Sequence, residues 1–172
     1  MNKYVRLLTL ALAILISVLV FLNRDKLGNL ESYGYLGIFL ISVLGNATIV
    51  LPIPVILTAF LGGGIFNPAV VGVVTALGAT MGELVGYMAG LSGRGLVEEG
   101  KRIQKVKNWM NKYGLWALFV LAVIPNPLFD LAGIVAGATR IPVYKYLIVV
   151  WLGKLIKFLV FSFLGAGAFS LI

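Results

Sequence analysis

Asn46-Ala47-Thr48-Ile49-Val50-Leu51-Pro52-Ile53-Pro54-Val55 sets two prolines in the middle of a run of residues that carries no charge. Proline lacks a backbone N–H and its ring collides with the preceding helical turn, so two of them two residues apart interrupt any helix. The same apolar segment, 34–66, is loosened again by Asn46 and by Gly62-Gly63-Gly64. Working outward, no charged residue occurs between Glu31 and Glu83, an uncharged run of 51 residues. One helical crossing of a bilayer takes about 20 residues, so the chain must enter the membrane and come back within that run. Broken backbone is tolerated at membrane depth only where protein or a water-filled cavity covers it. The segment 34–66 therefore reads as a helical hairpin dipping into the membrane, either re-entrant or a closely packed pair.

Composition agrees. Of 172 residues, 60% are hydrophobic and 12% charged, far from the roughly half-apolar, quarter-charged mixture of soluble domains. There is no cysteine and no histidine, which excludes disulfides, thiolate metal sites and a Cys nucleophile, and removes the commonest general base. A cofactor, a metal site and an enzymatic role are therefore not expected. The net charge of +8 is read as orientation signals and contacts to anionic headgroups rather than as a nucleic-acid footprint.

Lys3 and Arg6 precede an apolar stretch that ends in Phe21-Leu22-Asn23-Arg24, without a small-residue cleavage site; an uncleaved first span over 4–22 is expected. Asn67-Pro68 opens a long helix over 68–92, where Gly78, Gly82, Gly86 and Gly90 share one face and invite close approach of another helix. Residues 94–112 alternate Arg94, Lys101, Arg102, Lys105, Lys107 and Lys112 with Leu96, Val97, Ile103, Val106, Trp109 and Met110. That pattern predicts an amphipathic helix on the cytoplasmic surface. A second apolar hairpin over 114–139 is broken by Pro125, Asn126, Pro127, Gly133 and Gly137, and Pro142 opens a last long helix over 142–170.

The halves repeat. Tyr33-Gly34 recurs as Tyr113-Gly114, Pro52-Ile53-Pro54 as Pro125-Asn126-Pro127, Gly64 as Gly137, and Asn67-Pro68 as Ile141-Pro142. With the N-terminus and the basic helix both cytoplasmic and the C-terminus outside, the first hairpin enters from outside and the second from inside. The expected architecture is all-α: an N-terminal transmembrane helix, then an inverted repeat of two re-entrant hairpins, each followed by a long transmembrane helix. Transporters of that construction hold their sites near the midplane, among broken helices.

Four charged residues fall inside the spans: Glu83, Asp130, Lys154 and Lys157. A charge near the bilayer centre costs roughly 2.5–3.5 kcal/mol on insertion scales, so it faces a partner or a polar cavity. Glu83 and Lys157 stand 74 positions apart, close to the 73 between the Pro-x-Pro motifs, which makes a cross-repeat ion pair natural. Lys154 and Lys157 share a helical face and can attract a lipid phosphate. Asp130 follows Pro127, where freed N–H groups can satisfy it or bind an anion. Asn46 and Asn126, one in each hairpin, belong to the same substrate path. The plainer readings are that a buried acid–base pair only holds helices in register, that lysines snorkel, that the glycine ladder is packing, and that Trp109, Trp116 and Trp151 are interfacial or packing aromatics.

Gly78-Ala79-Thr80-Met81-Gly82-Glu83-Leu84-Val85-Gly86-Tyr87, Ile124-Pro125-Asn126-Pro127-Leu128-Phe129-Asp130-Leu131-Ala132-Gly133 and Gly153-Lys154 resemble the DedA / VTT-domain (SNARE-associated Golgi protein) superfamily over residues 33–165. The second string is especially similar to the vacuole membrane protein branch. The resemblance implies two opposed re-entrant hairpins and lipid movement, either phospholipid scrambling or carriage of polyprenyl-phosphate lipids. This chain departs from the bacterial pattern: Asn46 and Ile56 stand near positions usually acidic, and Ala122 and Leu128 replace the usual arginines. Glu83 and Asp130 are the matching acids that remain.

The function expected is energy-independent phospholipid scrambling through a polar groove, since no phosphate-binding loop with a Gly-Lys-Ser/Thr signature occurs. Two alternatives stay open: an H⁺- or Na⁺-coupled flippase of a lipid phosphate, and an assembly protein that binds partners through 94–112. Membrane lipids are the expected partner, with self-association open, and the compact chain suggests a prokaryotic plasma membrane.

Overall fold

The computed structural model describes residues 31–47, 55–92, 101–126 and 128–171. The first span expected over 4–22 lies outside the described residues, as do Pro52, Pro54 and Pro127. Among the described residues every regular element is helical: α1 Glu31–Ala47, α2 Val55–Ile65, α3 Pro68–Gly82, α4 Leu84–Ser92, α5 Lys101–Tyr113, α6 Leu115–Val123, α7 Phe129–Ala138 and α8 Val143–Ser170.

Helix α3 starts where the sequence supplies a cap. The Asn67 side chain accepts hydrogen bonds from the backbone N–H of Ala69 and Val70, at 3.0 and 3.3 Å, and Pro68 fills the first helical position, where no donor is missed. The ladder continues past Glu83, because Glu83 N–H donates to the Ala79 carbonyl and Tyr87 N–H to that of Glu83. Residues 68–92 thus form a path of 25 residues and α8 one of 28, both long and apolar enough to cross a membrane. At 1.5 Å per residue α8 is about 42 Å long.

Both long paths carry an outward apolar stripe. Val73, Leu77, Met81, Val85 and Met88 are exposed along one, and Ile148, Leu152, Ile156, Val160 and Phe163 along the other. Steps of three and four place each set on a single helical face. Such continuous exposed apolar surface is unfavourable in water and suits hydrocarbon.

Shorter helices pack between these two. α1 lies against α3 and α6 against α8, while α2 crosses to α8 and α7 crosses to α4. Glycines set each of these approaches. A Cβ on Gly63 would overlap the Ser162 carbonyl and one on Gly165 that of Phe60; on the other side, Gly137 meets the Tyr87 carbonyl and Gly90 that of Ile134. Both pairs are the same contact displaced, since 60 and 63 become 134 and 137, and 87 and 90 become 162 and 165. The first arms repeat as well. Gly82 abuts the Val43 carbonyl, Asn46 Cβ and Ala47 N, whereas Gly153 abuts the Phe119 carbonyl, Ala122 Cβ and Val123 N, each 76 positions on. The ladder from Gly78 to Gly90 therefore serves two neighbours: Gly78 and Gly82 receive α1, and Gly90 receives α7.

The break between α6 and α7 is tied by one side chain. The Asn126 amide donates to the carbonyls of Leu121 and Ile124, and its oxygen accepts from Leu128 N–H. Helix α5 is amphipathic as its pattern requires, with Val106 and Met110 buried against α6 and α7 and Lys105, Lys107 and Lys112 exposed; residues 94–100 of the basic segment lie outside the described residues.

Candidate functional site

Glu83 and Lys154 meet at the centre of this packing. The Glu83 side chain stands at the junction of α3 and α4, and Lys154 lies near the middle of α8. Lys154 Nζ donates to Glu83 Oε1 at 2.8 Å and to Asn46 Oδ1 at 2.6 Å, so three elements converge on one ammonium group. Both charges are sealed, Glu83 at 3% exposure and Lys154 at 1%. Burying two ions removes them from water at a cost of several kcal/mol each, which close pairing and extra hydrogen bonds offset. Asn46 is anchored in turn, since its amide nitrogen donates to the Ser42 carbonyl at 2.9 Å.

The partner of Glu83 is thus Lys154 and not Lys157, the residue favoured by the 74-position spacing. The register explains this. Gly82 and Gly153 occupy matching contacts, so the residues that follow them, 71 positions apart, are the ones brought face to face. Spacing between the proline motifs does not report how the long helices are set against the first arms, which is what brings positions 71 apart, not 74, together.

Aromatic rings wall the pair. Lys154 Nζ lies 4.9 Å from the centroid of the Phe129 ring, and Lys157 Nζ 5.8 Å from the same ring and 5.2 Å from that of Phe158. Cations over ring faces are attracted by the ring quadrupole, more so when desolvated. Tyr146 is fully buried, its hydroxyl 3.5 Å from the Glu83 carbonyl and its ring 4.9 Å from that of Tyr87. Tyr87 in turn donates to the Ile141 carbonyl at 2.6 Å. Gly133 keeps the site narrow: a Cβ there would sit 2.9 Å from the Tyr146 hydroxyl and 3.7 Å from Glu83 Oε2.

Asp130 occupies the first turn of α7, with its side chain exposed and its backbone carbonyl beside Gly86. Lys157 is half-buried one turn beyond Lys154. Among the described residues neither forms an ion pair. Asn126 is brought near the α7 start, but its amide is occupied by the hairpin backbone. Gly64 and Gly137 lie away from the charges, at the α2–α8 and α4–α7 approaches. Tyr146, Tyr87 and Phe129 were not legible as site residues; a tyrosine three residues into an apolar helix carries no mark of its own. Among the described residues no cluster of three acid, His or Cys side chains is placed to hold a metal.

This geometry, paired ions on two apolar helices with shorter helices packed around them, coincides with a match to the VTT domain over residues 51–167. The chain belongs to the VTT-domain family. Similar curated proteins are the uncharacterized membrane protein YbfM of Bacillus subtilis, 33% identical over 109 residues, covering 56% of this chain and 67% of that one. Vacuole membrane protein KMS2 of Arabidopsis thaliana is 31% identical over 103 residues, 49% of this chain and 25% of its own length. Vacuole membrane protein 1 of Bos taurus is 41% identical over 51 residues, 30% of this chain and 13% of its own. The chain thus spans a quarter or less of these vacuole membrane proteins. No solved structure matches it. Membrane relatives and two crossing-length apolar helices make this VTT protein an integral membrane protein, and the DedA/VTT resemblance read from its motifs holds.

Proposed function

We propose that this VTT domain lets phospholipid headgroups cross the bilayer passively, along a polar seam where two hairpins entering from opposite faces meet. The observation that carries the reading is the Glu83–Lys154–Asn46 cluster, sealed halfway along both crossing helices. A pair that served packing alone would need no further ions, yet Lys157 and Asp130 stand beside it with no ion-pair partner among the described residues. Charges at such depth mark substrate or ion pathways. Lys157 offers an ammonium to a passing phosphate, and Asp130 a carboxylate to the amine of a zwitterionic headgroup.

Opposed entry is supported by where the hairpin bases touch the long helices. Gly34 and Gly64, at the base of the first hairpin, face Phe66 and Phe169, the start of one long path and the end of the other. Gly137, at the base of the second, faces Tyr87 and Leu91 at the far end of 68–92. The end of α1 and the start of α7 both reach the ion pair, with Asn46 on Lys154 and Phe129 near both lysines. An inverted repeat of this kind holds its site at the midplane.

Reconstitution into liposomes with a headgroup-labelled fluorescent phospholipid tests the proposal. Dithionite added outside is expected to bleach nearly all the label in vesicles holding the protein and about half in empty ones, without any gradient. Half-bleaching in both would overturn it. Bleaching that appears only under an imposed pH or Na⁺ gradient would replace it with ion-coupled transport.

A further inference from the structure

A second site lies away from the ion pair, at the end of the molecule where the basic helix joins the hairpin. A cavity of about 330 Å³ opens between the end of α5, the start of α6 and the turn leading into α8. That volume is at the lower end of small-molecule sites. Its apolar walls are Met110, Leu115, Ile141 and Pro142, and its polar side chains are Asn111, Lys145 and Thr139, the last with its hydroxyl donated to the carbonyls of Val135 and Ala136.

Three further observations define what fits there. Lys145 is exposed on the cavity wall, and Lys112 and Arg140, each next in sequence to lining residues, are exposed as well, Arg140 in the left-handed region at φ 57°. The described carboxylates whose side chains are placed, Glu83 and Asp130, belong to the midplane cluster, and among the described residues no ion pair neutralises these cations. Exposed aromatic residues ring the same end, namely Trp109, Tyr113, Trp116 and Tyr144, the mark of a membrane–water interface. Among the described residues, the cavity therefore has exposed cations beside it, interfacial aromatics at the same end and an apolar wall.

We propose that this cavity is a binding site for the glycerophosphate of an anionic phospholipid, with Lys145 taking the phosphate, Asn111 donating to an ester or glycerol oxygen, and Leu115 and Ile141 lying along the first carbons of the tails. A free anion would find the ammonium but no use for the apolar walls. A zwitterionic lipid would bring its own amine into a field already positive. Bound lipid would join α5 to the base of the second hairpin and so hold the basic helix against the membrane domain. The site stands whether or not the protein moves lipids.

Native mass spectrometry of the full-length protein, released from detergent after incubation with phosphatidylglycerol, phosphatidylcholine or inorganic phosphate, tests this. One phosphatidylglycerol adduct per chain is expected, at least several-fold more abundant than the phosphatidylcholine adduct and undiminished by equimolar inorganic phosphate. K145Q should reduce it about five-fold, the effect of one cation near an anionic headgroup, and K145E should abolish it. K105Q/K107Q, which removes two exposed charges that do not line the cavity, should keep it. Lys145 is exposed, so both single variants are expected to fold, and their circular dichroism melting curves report whether they do. Equal adducts of the two lipids, an adduct unchanged in K145E, loss in K105Q/K107Q equal to that in K145E, or displacement by inorganic phosphate would overturn the proposal.

Discussion

Glu83 and Lys154 show how a single pair can be both necessary and nearly neutral in energy. Each ion is stable at this depth only because the other is 2.8 Å away and Asn46 supplies a further acceptor. Taking away Lys154 leaves a buried carboxylate without its cation, whereas taking away both leaves an apolar contact. K154M is therefore expected to lose about 3–5 kcal/mol of stability, and E83L/K154M to recover most of it. Thermal unfolding in detergent measures this; equal melting temperatures for the single and double variants would contradict it. Lys157 has a different place, half-buried over Phe129 and Phe158. K157Q should melt like the parent protein yet slow lipid crossing about five-fold, since one cation beside a phosphate is lost. A normal crossing rate in K157Q would remove this lysine from the path. Of the site, the four charged residues and Asn46 were legible, because an ion in an apolar run stands out in any sequence. Their pairing was not. It depends on register between helices 71 positions apart, and nothing in the local sequence reports that register.

At the scale of elements, glycine determines which helices meet. Carbonyl oxygens of Ser162, Phe60, Tyr87 and Ile134 occupy the space where Cβ atoms of Gly63, Gly165, Gly137 and Gly90 would be. Backbone at that distance cannot yield as a flexible side chain would, so adding a methyl group must separate the helices. Each of G63A, G90A, G137A and G165A is expected to cost about 1–3 kcal/mol or more, the range of overpacked cores. G37A and G167A, where no atom lies within 4 Å of the added carbon, should be neutral or slightly stabilising through better helix propensity. Melting temperatures of the six variants check this, and a large loss in G167A or none in G137A would go against it. The glycine ladder between 78 and 90 could be read from sequence as a close-packing face. That it serves two helices in turn could not, because residues four apart look alike whichever neighbour they receive. Helix starts were more legible: Asn67-Pro68 is a cap and first turn in composition alone, and it is one in the structure.

For the whole molecule, apolar composition and proline-broken runs sufficed to give a membrane protein whose described elements are all helices, and the motif strings sufficed to give its family. The proposed opposed arrangement of the hairpins draws its support instead from the matched contacts of the two halves, and the proposed lipid movement from the Glu83–Lys154–Asn46 cluster. Residues 43, 46 and 47 against Gly82 reappear as 119, 122 and 123 against Gly153, and the two second arms exchange partners in the same displaced way. If each half is a hairpin entering from its own side, the ion pair is where their tips join, and passive crossing should be indifferent to a pH or Na⁺ gradient. Liposome assays with and without such gradients should give equal rates, and a rate that follows the gradient would contradict passive crossing.

Natural absence of cysteine makes side-specific labelling the most direct test of that arrangement. Tyr33 and Tyr113 hold equivalent positions before the two hairpins and are 76% and 53% exposed. In sealed, uniformly oriented vesicles, Y33C and Y113C are each treated with a membrane-impermeant maleimide from outside, then again after permeabilisation. Opposed hairpins predict that one of the two reacts before permeabilisation and the other only after it; reaction of both from the same side would contradict the account.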